Sequence, residues 1–304
     1  MTRDSRGFAL LAVLWALAGV VVTGAVAATS GRAALAAARN RVALVRAGWL
    51  AEGCVERALA VIGVAAALRE PSGGVPWSDL DQTTRNQPWP ADCRLDVIPA
   101  GQVLDANAAT REQLVRLFDA VRLLPAQADS LADALLDWRD ADSLSRPHGA
   151  ERKWYRDRSR FPPRDGPLAD AREIRRVRGF DLLPELDSLL GIGDRRVALH
   201  HARLPVLASL PGFGHEALAL AADLRRQGIR TGDLISFASG LAVPAREALL
   251  ARAGELATLL TPEPEAWIIT ARGRAGNPAL EAVMEVRLVR SGPGVVVVRR
   301  RVWP

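Results

Sequence analysis

The sequence predicts an α+β protein carried on a membrane-spanning stem helix, and three observations predict it. An uncharged, apolar run extends from Phe8 to Gly31, and no Pro interrupts the chain before Pro71. A short alternating stretch at Cys93–Ile98 is the only β-like text until Trp267, after which three β-rich runs follow. Between them lie helical patterns separated by Pro and Gly stops. The economical arrangement is a small antiparallel sheet on the stem, with a large all-α insertion between its strands.

The stem comes first. Arg3, Asp4 and Arg6 precede Gly7, and residues 8–31 need no water. A helix rises 1.5 Å per residue, so about 20 such residues cross a bilayer core of roughly 30 Å. Positive charge before the span keeps the N-terminus cytoplasmic and puts the body outside. Ala25-Val26-Ala27 would also suit cleavage of a signal peptide. Against that reading, residues 32–70 continue the helix, with Leu35, Ala38, Val42, Val45, Trp49 and Leu50 at three- and four-residue steps. That face is expected to pack on a domain. Pro71-Ser72-Gly73-Gly74 ends the helix.

Composition narrows the function. The 304 residues carry a net charge of +6 and a pI near 10.6, but Lys153 is the one Lys and acids are interspersed throughout. No run of like charge marks a binding tail. Cys54 and Cys93 would lie in an oxidising compartment, either as a disulfide or as two buried thiols. No G-x-S-x-G, H-E-x-x-H, P-loop or C-x-x-C occurs, so no enzyme class is indicated.

The body divides by pattern. Residues 71–104 hold the strand with Cys93, Leu95 and Val97 on one face. Residues 105–205 form a first helical unit: Thr110 caps a helix, a second covers 126–139, and a third runs from about Leu168 to Gly179. Short helices are expected on both sides of Gly191-Ile192-Gly193. In the second unit, 206–260, helices flank Leu210-Pro211-Gly212-Phe213-Gly214. Residues 261–304 are β-rich, the last two runs forming a hairpin across a Gly/Pro turn. His200 and His201 are expected as a surface pair, since adjacent helical residues face different ways.

The Gly7–Phe8 junction resembles the leader of type IV pilins and type II secretion pseudopilins. There the prepilin peptidase cuts after the Gly, residue 7 here, and the new terminus, Phe8, is methylated. A second resemblance is more specific. Asp137-Trp138-Arg139-Asp140-Ala141-Asp142, Gly149-Ala150-Glu151, Tyr155, Gly166-Pro167-Leu168 and Glu173 to Phe180 resemble the K-class minor pseudopilins of type II secretion, general secretion pathway protein K. Asp105 to Ala109 is similar to the start of that family's first helical domain. Two departures stand out: His200-His201-Ala202-Arg203 where the family often has N-T-A, and Gly166 where it prefers Asn.

The resemblance implies a pilin-like stem and sheet with a SAM-like, helix-hairpin-helix-like insertion. It also implies an inner-membrane protein with a periplasmic body, partners of the I and J classes, and a place at the pseudopilus tip. Ala12 stands where pilin-like subunits usually carry Glu, and K-class members likewise lack it. A lone carboxylate in the bilayer is costly, and a subunit with none above it has no amine to pair one. Asp140, Asp142 and Glu151 offer hard oxygen ligands suited to Ca²⁺, against the alternative of a solvated acidic loop paired with arginines. These pseudopilins bind calcium, which favours the former. The rival function is a membrane-anchored DNA-binding protein of the competence type, using the Leu210–Gly214 hairpin to present backbone N–H groups to phosphate. Asp194, Glu216 and Asp223 beside the glycine turns count against it, and no nucleic-acid partner is expected. Mass spectrometry of the mature chain is expected to find methylated Phe8 at the N-terminus; a chain starting at Ala28, or an intact Met1, contradicts this.

Overall fold

The computed structural model describes residues 5–67, 77, 80–292 and 294–303, with side chains from Leu10 onward. Arg3, the breaker cluster at 71–74 and Pro293 of the last turn lie outside the described residues; Gly7 and Phe8 fall within the first helix. That helix, α1, is continuous over Ser5–Ala67. After α2 (Leu80–Arg85) come β1 (Cys93–Pro99) and β2 (Leu104–Asp105). Then follow α3 (Arg111–Ala120), α4 (Pro125–Arg139), α5 (Arg152–Arg156) and 3₁₀ turns at Ala171–Arg176, Phe180–Leu182 and Pro184–Ser188. β3 (Leu190–Gly191), β4 (Val197–Ala198), α6 (Leu204–Ala208), α7 (His215–Gln227), α8 (Leu234–Ala238), α9 (Val243–Leu250) and α10 (Ala253–Leu259) lead to β5 (Leu260–Thr261). The chain closes with β6 (Ala266–Ala275), β7 (Leu280–Ser291) and β8 (Gly294–Trp303).

β1, β6, β7 and β8 form one antiparallel sheet in that order. β1 and β6 are direct neighbours, with Cys93 opposite Gly273 and Pro99 opposite Trp267. The chain therefore leaves the sheet after β1 and returns beside it at β6, with the whole helical body in between. Two short parallel pairs, β2 with β3 and β4 with β5, tie that body's start to its middle and its middle to its end. Its helices share one core running from Leu104 to Leu260, in which Leu114, Phe118, Leu135, Phe180, Leu207 and Phe237 are nearly fully buried.

The stem docks on the sheet through small residues. Ala43, Ala47, Ala51, Val55, Ala58 and Ile62 are buried against it, and a Cβ at Gly273 of β6 would lie 2.1 Å from the Ala47 carbonyl oxygen. The helix backbone thus rests almost directly on the strand. This corrects the expected docking face: Leu35, Val42, Val45 and Trp49 point away, and Trp49 is 72% exposed. Periodicity locates apolar faces, but only small side chains permit this separation. Cys54 and Cys93 form a disulfide joining α1 to β1 within the same core. Closing a loop of 39 residues contributes about 4 kcal/mol in the chain-entropy account. Trp77 and Trp267 pack beside it, ring centroids 5.5 Å apart.

Three further expectations change. The segment 168–179 is a 3₁₀ turn over Ala171–Arg176 and not an α-helix; buried Ile174, Val177 and Phe180 recur every three residues, the 3₁₀ repeat. Asp170 caps its start, Val177 ends it in extended backbone, and Gly179 at φ +87° leads into the next 3₁₀ turn. After Gly193 the chain forms β4 instead of a helix, because Val197 and Ala198 pair with Leu260 and Thr261. His200 and His201 are half-buried: His200 Nε2 accepts the Thr231 N–H at 3.0 Å, and burial holds the His201 imidazole down at about 4.

Gly273→Val is expected to destabilise the protein by about 2 kcal/mol or more, since neither the Ala47 carbonyl nor the strand can give way. Denaturant unfolding of the detergent-held chain reads this, with Gly166→Val, where nothing lies within 4 Å, as the control.

Candidate functional site

The most highly charged part of the interior lies where α4 ends and α5 begins. Asp137, on the last turn of α4, is fully buried. It accepts the Arg146 N–H at 3.2 Å and an Arg146 guanidinium N–H at 2.6 Å. Gly149 makes this approach possible, because a Cβ there would sit 1.9 Å from Asp137 Oδ2. The adjacent Trp138 packs edge-on to Tyr155 of α5, centroids 5.2 Å apart. Burial pushes the Tyr155 hydroxyl up to about 12, and its oxygen accepts the Arg178 N–H. Arg139 turns the other way and donates to the Ala106 and Ala109 carbonyls, fastening α4 to the loop before α3.

Asp140, Asp142 and Glu151 meet in this corner. One carboxylate oxygen from each can be chosen so that all lie within 4.8 Å of one another. Asp140 is the C-cap residue of α4, and its Oδ2 takes an Arg146 N–H at 2.5 Å. Its Oδ1 is buried and accepts no hydrogen bond. Asp142 is exposed and accepts the Leu144 N–H at 2.8 Å. Glu151 is buried at the N-cap of α5: Oε2 takes the Arg152 N–H, and Oε1 accepts none. Burial raises the Glu151 pKa, and the carboxylates of Asp137, Asp140 and Asp165 push it the same way.

Asp165, which sequence reading did not single out, adds negative charge near Glu151 without belonging to that converging set. One of its oxygens pairs with Arg152, and Oδ1 is buried without a hydrogen bond. It sits 14 residues after Glu151 at φ +54°, in an Asp-Gly step among prolines that signals only a turn. Asp137, Asp140, Asp142, Glu151 and Asp165 thus gather around Arg146 and Arg152, an excess of negative charge. Buried carboxylate oxygens without donors are costly. Oxygens in this number and spacing fit a hard divalent cation with Ca²⁺-like coordination. Asp140, Asp142 and Glu151 are the residues that would hold it, with backbone carbonyls completing the shell.

The Leu210–Gly214 hairpin has a different character. Gly212 has φ +79°, and a Cβ there would lie 3.1 Å from the Leu249 Cα, so the turn is packed against α9. Phe213 is buried, and Glu216 occupies the first turn of α7. The glycine here serves helix packing.

A long apolar stem helix on a four-stranded antiparallel sheet, with a mainly helical body inserted between the first two strands of that sheet, defines a pilin-like fold with an insertion. Residues 94–184 match the family described as type II secretion system (T2SS), protein K, first domain, in line with the resemblance read from the sequence. No curated protein matches the chain. Among solved structures, a chain of the GspK-GspI-GspJ complex from enterotoxigenic Escherichia coli is similar at 19% identity and a TM-score of 0.62. The match covers 84% of this chain and 95% of that one, so the likeness of fold extends well beyond the matched domain.

In calcium-free buffer Glu151→Gln is expected to be more stable than the parent chain near neutral pH. The raised pKa means that the fold disfavours the ionised form, so the parent gains stability as pH falls towards that pKa and the variant does not. Calcium should reverse the order. At a hundredfold its dissociation constant a bound ion adds about 2.7 kcal/mol to the parent, and Gln removes an anionic ligand. Thermal unfolding with calcium and with chelator reads both signs; identical curves for both proteins exclude a calcium site here.

Proposed function

We propose that this protein is a minor pseudopilin of the K class, acting at the tip of a type II secretion pseudopilus by assembly. The observation that carries the reading is the match to the first protein K domain over residues 94–184, which begins in strand β1 of a pilin-like sheet and runs on into the helical body that precedes β6. The stem contains a stretch long and apolar enough to cross a membrane. In this reading the prepilin peptidase cuts after Gly7, Phe8 is methylated, and the stem is held in the inner membrane with the body in the periplasm.

The stem supplies the means of assembly. Its small-residue face is used up on the sheet, which leaves Leu35, Val42, Val45 and Trp49 exposed at seven-, three- and four-residue steps. That is the repeat of a helix–helix seam. In the reading proposed here it packs beside the stems of I- and J-class pseudopilins. The similar fold found in the GspK-GspI-GspJ complex supports such partners. Ala12 leaves the stem without the carboxylate that would pair with a neighbouring N-terminal amine, which suits a subunit with none above it. The inserted body is too bulky to leave room for one. Calcium bound at Asp140, Asp142 and Glu151 would fix the body's shape. The DNA-binding alternative is disfavoured by the packed Gly212 turn.

The test is reconstitution. The full chain mixed in detergent with the I- and J-class pseudopilins of the same bacterium is expected to form a stoichiometric complex. Val45→Glu together with Trp49→Glu should weaken it at least about tenfold, as like-for-like removal of buried apolar anchors does. If the I and J proteins pair with each other and exclude this chain, the reading fails.

A further inference from the structure

Many arginines outside the stem are neutralised where they stand. Arg111, Arg146, Arg152, Arg164, Arg175, Arg196 and Arg287 all pair with carboxylates. The surface around α5 breaks this rule. Arg158 lies over the Trp154 ring at 4.4 Å and Arg178 at 5.1 Å, while Arg176 lies over Phe161 at 5.1 Å. None of these three forms an ion pair among the described residues; Arg158 and Arg178 donate only to main-chain carbonyls. Arg160, also over Trp154, pairs with Asp181, next to Leu182. Phe161 and Leu182 are 71% and 78% exposed.

Stacking holds each guanidinium plane on an aromatic face; Arg158 and Arg178 each spend one guanidinium nitrogen on main-chain carbonyls, and their other nitrogens form no hydrogen bond among the described residues. A guanidinium edge matches a carboxylate bidentately, and the ordering entropy has already been spent. Protruding Phe161 and Leu182 add apolar anchors between the charges. We propose that this patch docks a short acidic segment of a partner protein, one that carries an aromatic or aliphatic residue among its carboxylates. The charge pattern argues for a segment over a continuous anion. Asp157 and Asp181 interrupt the cations and would repel an anionic bilayer or a nucleic-acid backbone, whereas a few spaced carboxylates can thread between them. This inference does not depend on the secretion reading, and the stem seam takes no part in it.

The test uses the full chain in nanodiscs of zwitterionic lipid and a fluorescein-labelled peptide alternating Glu with Phe and Leu. Anisotropy is expected to show saturable binding that weakens with salt. Arg158→Ala with Arg176→Ala should weaken it at least about tenfold, and Phe161→Ala alone should weaken it measurably. Arg272→Ala with Arg274→Ala removes the same charge from the sheet and should leave it unchanged. Equal binding of the peptide with Gln for Glu overturns the proposal, as does equal loss in the sheet variant. Binding of phosphatidylglycerol vesicles or duplex DNA in place of the peptide also overturns it.

Discussion

The structure depends on the distance between a helix and a strand. At Gly273 the stem backbone approaches β6 so closely that a single methyl group would overlap the Ala47 carbonyl. Everything on that side of α1 must then be small, and from Ala43 to Ala58 it is almost entirely alanine. Such a contact gains little apolar area per residue, so it needs other support. The Cys54–Cys93 disulfide and the Arg300–Glu56 ion pair at 2.7 Å provide it, one towards β1 and one towards β8. The close fit turns the stem's bulky apolar residues outward.

The same sheet sets where the inserted body sits. Because β1 and β6 are neighbours, the body leaves and returns within one strand spacing, and its orientation is fixed by what lies at that gap. Asp194 accepts the Gly101 N–H at 2.9 Å and pairs with Arg287 of β7, while Arg301 of β8 reaches Asp170 at 3.0 Å. These pairs are partly shielded and span two elements each, so they act on geometry more than on stability. A rigid body on a rigid stem suits a protein whose proposed work is to be assembled.

Inside the body, the acidic corner between α4 and α5 works against the fold as long as its charges have only Arg146 and Arg152 for company. Two buried oxygens without donors, on Asp140 and Glu151, are what a cation held there with Asp142 would satisfy. Glu151 also caps α5, the helix that presents Trp154 and its arginines. Order in the corner and order in the cationic patch are thus built on one short helix.

The sequence by itself determined the stem, the strands at Cys93 and after Ala266, the terminal hairpin and the Asp137–Asp142 motif, because each depends on neighbours close along the chain. Asp140, Asp142 and Glu151, singled out from the sequence as candidate ligands, do converge, within a dozen residues of one another along the chain. Only the tertiary structure decided which apolar face of α1 is buried, since periodicity marks faces without saying how near another backbone will come. It alone laid Thr231 against His200, a contact between segments 31 residues apart in sequence. It also turned 171–176 into a 3₁₀ turn, where packing every third residue against one core outweighed the helical pattern. Local propensity and spacing write the elements; distance between elements, set by side-chain size and charge, selects their contacts.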